Sequence, residues 1–123
     1  YCFTSNFKFL SNFKILNKTA NGILLFCPKN RTFNLSFNNL TFNFTSKELY
    51  DFIAFLESID SDFWEKEYEN SIYEKRIPIP TLQSNFIILL DKQELEELSY
   101  LLDFEKNKNY LKLHQIKYTL ILN

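Results

Sequence analysis

Cys27-Pro28-Lys29-Asn30 has the spacing of half a zinc knuckle, with an amide where the second thiolate would stand. Cys2 and His114, the other cysteine and the only histidine, bring the soft ligands to three, whereas a structural zinc site takes four. Burial of Cys27 as a small apolar residue at a strand end explains it without metal, and no cofactor is expected. A Cys27–His114 nucleophile pair would need two distant segments to meet and a third group to orient the imidazole. Nothing in the spacing requires that. Carboxylates crowd residues 60–74 and 94–97, but on helices such runs are ordinary solvated faces rather than acid–base pairs. The single glycine, Gly22, leaves no phosphate-cradling loop, dinucleotide fingerprint or glycine-flanked nucleophile elbow. These residues read as a non-enzymatic protein.

Charge is distributed unevenly. Residues 1–45 carry five basic side chains and no acid; residues 46–105 carry five bases and all 15 acids; residues 106–123 carry four lysines and no acid. Lys8, Lys14, Arg31 and Lys117 come from β-type segments, with Asn34, Thr41 and Asn43 among them. Aromatics interleaved as in Phe7-Lys8-Phe9, and Tyr118, could stack on bases, as open sheets do with single strands. Against this, most Phe fall at inward parity, no strand matches the RNA-recognition pattern, and the isoelectric point is about 5.9. The plain alternative is complementarity within the fold.

Two other features could meet a partner. Lys75-Arg76-Ile77-Pro78-Ile79-Pro80 must be extended and could present Arg76 and Tyr73; equally, its prolines suit an edge strand that resists aggregation. Trp64, the only tryptophan, with Phe63 and Tyr68, is either a lid on the core or an interface hot spot. The functional expectation is a small binding or adaptor domain acting through a protein partner or a homodimer, with nucleic-acid binding on a basic sheet face as the alternative. No apolar stretch approaches 18 residues, so no membrane span is expected.

The elements that position these residues are legible. Ile15 and Leu16 and the run Ile23–Phe26 flank a turn ending in Asn21-Gly22, a hairpin signal. Thr32 to Phe44 alternates about Asn38-Asn39, placing Phe33, Leu35, Phe37, Leu40, Phe42 and Phe44 on one face and Thr32, Asn34, Ser36, Thr41 and Asn43 on the other. Thr45-Ser46-Lys47-Glu48 is a capping box opening a helix with Leu49, Phe52, Ile53 and Leu56 inward. A second, shorter helix is compatible with Phe63, Trp64 and Tyr68. Phe86–Leu90 reads as a central strand, apolar on both faces. Asp91-Lys92-Gln93-Glu94 is a second capping box, with Leu95, Leu98, Leu101 and Leu102 inward. Ile116–Leu122 reads as a last strand.

At an offset of 46 Thr45 aligns with Asp91, Glu48 with Glu94, Phe52 with Leu98, and Phe42 and Phe44 with Ile88 and Leu90. The plain reading is that strand-then-capped-helix recurs by chance because its physics is common; the sharper reading is a duplicated strand–strand–helix unit. The fold class expected is α+β, a largely antiparallel sheet of five to seven strands with two main helices on one face. The 123 residues make one domain: N-terminal strands and hairpin (1–30), a first unit (31–58), an acidic aromatic insert (59–76), a second unit (77–104) and a C-terminal strand (105–123). Two cysteines are too few for a disulfide framework. With no signal-like layout at the start, they suggest reduced thiols and a cytoplasmic setting. The sequons at Asn17, Asn30, Asn34, Asn39 and Asn43 are the number that abundant Asn produces by chance.

Three phrases, Asn38-Asn39-Leu40-Thr41-Phe42-Asn43-Phe44-Thr45, Arg76-Ile77-Pro78-Ile79-Pro80-Thr81 and Tyr118-Thr119-Leu120-Ile121-Leu122-Asn123, resemble an uncharacterised family of small proteins from flavobacteria and related Bacteroidota. The resemblance runs from about Leu16 onward. It implies a bacterial, cytoplasmic protein and, in some relatives, a Cys where this chain has Asn30. With no activity assigned to that family, it carries no catalytic or binding residue across.

Overall fold

The computed structural model describes residues 13–107; Lys8, His114, Lys117 and the C-terminal strand expectation lie outside them. Four strands form an antiparallel meander in the order β1-β2-β3-β4: β1 (Lys14–Lys18), β2 (Gly22–Cys27), β3 (Thr32–Phe37) and β4 (Leu40–Phe44). Helices α1 (Ser46–Ser58) and α2 (Ser61–Glu67) follow, then β5 (Ile77–Pro80) and β6 (Ile87–Leu90) as a separate antiparallel pair, then α3 (Lys92–Leu102) and a last turn α4 (Phe104–Asn107). The class is α+β.

Period-2 alternation decides the sheet. Registers Phe33↔Phe44, Leu35↔Phe42 and Phe37↔Leu40 put the six apolar residues on one face, and Asn34↔Asn43 and Ser36↔Thr41 put their polar neighbours on the other. Leu24, Phe26, Phe33, Leu35 and Phe37 are buried there, against Leu49 and Leu56 of α1 and Leu95, Leu98, Leu101 and Leu102 of α3. Each helix begins at its capping box: Thr45 and Asp91 accept the third amide, while Glu48 and Glu94 accept the cap's own N–H. In both halves a hairpin therefore feeds a capped helix, at the spacing the offset of 46 predicts.

The strands divide into two sheets where one was expected, and β6 is not central: Phe86 and Ile87 are half exposed. The cause is chemical. Pro78 and Pro80 have no N–H, so β5 serves one neighbour and cannot join a wider ladder.

Gly22 allows α3 to approach the sheet. A Cβ there would lie 2.7 Å from Leu101 Cδ2 and 2.9 Å from the Ser36 carbonyl oxygen. In β1 the register slips between Ile15 and Asn17, a β-bulge that leaves both Leu16 and Asn17 buried.

Candidate functional site

An open groove of about 750 Å³ runs between β4, the outer strand of the meander, and the β5–β6 hairpin. That volume lies within the ~300–1,000 Å³ usual for ligand sites. Local sequence builds its floor. Phe42 and Phe44 project from alternate positions of β4 and stack with centroids 5.5 Å apart; Phe52 from α1 meets them at 5.8 and 5.3 Å. All three are only half buried. The opposite wall is Ile79, Pro80, Leu82, Phe86 and Ile88, of which Leu82 is fully exposed.

Among the described lining residues only two side chains ionise, and both are acids: Glu48 and Asp51, near the start of α1. Glu48 Oε1 accepts from the Thr45 N–H at 2.8 Å, and Asp51 Oδ2 meets Lys47 Nζ at 2.7 Å. Their other carboxylate oxygens, Glu48 Oε2 and Asp51 Oδ1, have no partner among the described residues.

The outer edge of β4 has no strand neighbour among the described residues. Asn38 N donates to Asn21 O, so Phe37 turns its main chain toward β4 and Leu40, Phe42 and Phe44 face back to β3. Thr41 and Asn43 therefore point their N–H and C=O groups outward, and no described residue meets them.

The residues singled out from sequence are placed elsewhere. Lys14 starts β1 opposite Phe26, and Arg31 sits in the β2–β3 turn at a φ of 55°. Both are exposed at the same end of the sheet, neither on its polar face. Arg76 is half-buried and tied to neighbouring chain: Nε donates to Tyr73 O at 3.2 Å, Nη2 to Glu69 O at 3.4 Å, and Nη1 lies 3.5 Å from Glu65 Oε2. Trp64 stacks on Tyr68 at 5.8 Å, meets Phe63 edge-on at 5.0 Å and is half-buried against the core.

Cys27 is buried at the end of β2, as expected, but it is a disulfide cysteine and not a free thiol. A thiolate nucleophile at Cys27 is thereby removed. Asn17 and Asn34 are buried, so those sequons are closed in the folded chain. No cluster of three metal-type ligands occurs among the described residues, and no helix among them is long and apolar enough to cross a membrane.

The sequence reading missed the work of the α3 carboxylates. Glu97 accepts from Thr19 Oγ1 at 2.6 Å, Asn21 N at 3.0 Å and Asn21 Nδ2 at 2.9 Å, clasping the β1–β2 turn. The Thr19 and Asn21 hydrogen bonds hold its carboxyl below the usual carboxylate value. One turn earlier, Glu94 Oε2 accepts from Asn38 Nδ2 at 3.2 Å and Lys75 Nζ at 2.9 Å. These carboxylates position hairpins rather than chemistry.

Fold and groove together define a small α+β domain whose β4 edge, unpaired among the described residues, lies beside an apolar cleft. The model of DUF6686, a family of unknown function, matches residues 9–123, and the chain belongs to that family. No curated protein and no solved structure matches it.

Proposed function

We propose that this protein is a non-enzymatic binding domain whose protein partner occupies the groove between β4 and the β5–β6 hairpin. The observation that supports the reading is the co-location of half-exposed Phe42, Phe44 and Phe86 with fully exposed Leu82 in one concavity. Self-association through the same surface is the homodimer form of the reading. Capture from lysate of the source organism with wild type, Phe86→Asp and Leu82→Asp tests it. Partners retained by wild type and lost in both variants support it; retention by all three overturns it.

Nucleic-acid binding is the second reading, favoured by Lys14 and Arg31 standing at one end of the sheet within the acid-free first 45 residues. Labelled single-stranded RNA and DNA across a salt series, with Lys14→Glu and Arg31→Glu, decides it: steep salt dependence lost in both variants supports it.

Compartment belongs to the same proposal. The family resemblance favours the bacterial cytoplasm, whereas a bonded Cys27 is chemistry of oxidising compartments. Alkylation of acid-quenched cells in denaturant without reductant separates the two: labelled Cys27 supports the cytoplasm, and Cys27 labelled only after reduction supports an oxidising compartment.

A further inference from the structure

We propose that the groove takes its partner as an added strand: an extended peptide that hydrogen-bonds to the outer edge of β4 and carries a lysine or arginine where it passes Glu48 and Asp51. This rests on the protein-binding reading above and specifies its chemistry. Three observations meet at one place.

The first is the main chain. Thr41 and Asn43 present two N–H and two C=O groups outward with no partner among the described residues. Unpaired edge groups are a template for another strand. Proteins usually blunt such an edge with proline, lysine or a bulge. β4, Leu-Thr-Phe-Asn-Phe, has none of these, while β5 has two prolines.

The second is the side-chain pattern. A strand laid along β4 alternates its residues between the two faces of the sheet. On one face its side chains reach the stacked Phe42 floor and, across the groove, Phe86. On the other they meet Thr41 and Asn43, so an apolar–polar alternation fits and a uniformly apolar or charged peptide does not.

The third is charge. Among the described residues the only ionisable groups lining the groove are Glu48 and Asp51, each with one carboxylate oxygen unpartnered there. A cation at that end of the peptide completes both, and an acid there is repelled.

The test uses the probe acetyl-Thr-Ile-Thr-Val-Thr-Lys-amide with the full chain, followed by amide NMR. Saturable shifts at Thr41 and Asn43, with slowed hydrogen exchange there, are expected. Changing the probe lysine to glutamate should weaken binding by about threefold to tenfold at low salt, less at high salt. N-methylation of alternate probe amides should abolish it. Thr41→Pro should abolish it too, while leaving the fold intact, because that N–H points away from β3. If Thr41→Pro does not fold, the N-methylated probe still decides.

Binding indifferent to N-methylation overturns strand addition, as does no saturable binding at millimolar probe. If Phe86→Asp still loses a captured partner in that case, only strand addition has failed and the protein-binding reading stands. A dimer of the free protein that Thr41→Pro dissociates also overturns the proposal, in favour of a second copy.

Discussion

The Asn17 side-chain amide donates to the main-chain carbonyl of Leu101 across 3.2 Å, joining residues 84 positions apart. The same Nδ2 donates to Tyr100 O at 3.0 Å, and Oδ1 accepts from Lys18 N at 2.9 Å. A bulge in β1 thus turns an asparagine inward onto the C-terminal carbonyls of α3, where Tyr100 O also accepts from the Asp103 N–H at 3.1 Å. Asn17→Ala should cost about 1–3 kcal/mol, because it leaves buried groups unmatched. Asn17→Asp should cost more, since it sets an acceptor against carbonyls at the negative end of a helix. Urea unfolding measures both; a change under about 0.5 kcal/mol in the alanine variant would show that water replaces the amide.

Gly22 should tolerate no side chain. Its would-be Cβ meets Leu101 Cδ2 at 2.7 Å and the Ser36 main-chain oxygen at 2.9 Å, so Gly22→Ala must move α3 or the sheet. Overpacking of this kind costs roughly 1–3 kcal/mol. Because one obstacle is a side chain, Gly22→Ala combined with Leu101→Ala should lose less than the sum of the single changes. Additive losses would mean that the backbone oxygen sets the cost.

Glu97 predicts an acid-dependent step. Hydrogen bonds from Thr19 and then Asn21 lower its pKa below the ordinary 4.5. A depressed carboxylate contributes stability above its unfolded pKa, and that contribution is lost as pH falls through the folded value. Glu97→Gln should therefore differ most from wild type at neutral pH, with the gap closing in acid below the ordinary pKa. Urea midpoints across pH 2–7 report the gap; a gap independent of pH would assign the clasp to neutral hydrogen bonding.

Thr32→Val should stabilise the fold. The Thr32 hydroxyl is buried without a hydrogen-bond partner among the described residues, and a polar group left unpaired costs about 1–3 kcal/mol, part of which a methyl of the same shape recovers. An unchanged or lowered melting temperature would point to water on that hydroxyl.

Sequence carried the local structure and little of the site. Both capping boxes, Thr45 with Glu48 and Asp91 with Glu94, are read within four residues because the contacts they make span only three. The faces of β3 and β4 were legible for the same reason: parity is local. By contrast, Glu97 carries no local sign that it holds Thr19 and Asn21 from 76 residues away or more. In sequence it is one more acid on an exposed helical face. The β1 bulge also escaped, since Leu16 and Asn17 break the alternation only in a register set by β2. The groove is the extreme case. It arises because Pro78 and Pro80 keep β5 out of the larger sheet, leaving a gap beside β4 that no single segment encodes.

The meander has a consequence in time. Its strand partners lie close along the chain, from Phe37↔Leu40 to Gly22↔Phe37, so closing each pair costs little loop entropy. Contacts of this separation favour fast formation. Docking of α3 through Gly22, Asn17 and Glu97 closes loops of more than 70 residues. The sheet should accordingly form with its hairpins ahead of α3, so Leu35→Ala should slow refolding while Leu101→Ala chiefly accelerates unfolding. Stopped-flow chevrons of the two variants tell this order from its reverse. A chain emerging from the ribosome would then expose the Leu101-binding surface of a finished sheet for as long as synthesis takes to reach α3, an interval in which a folding helper could act on it.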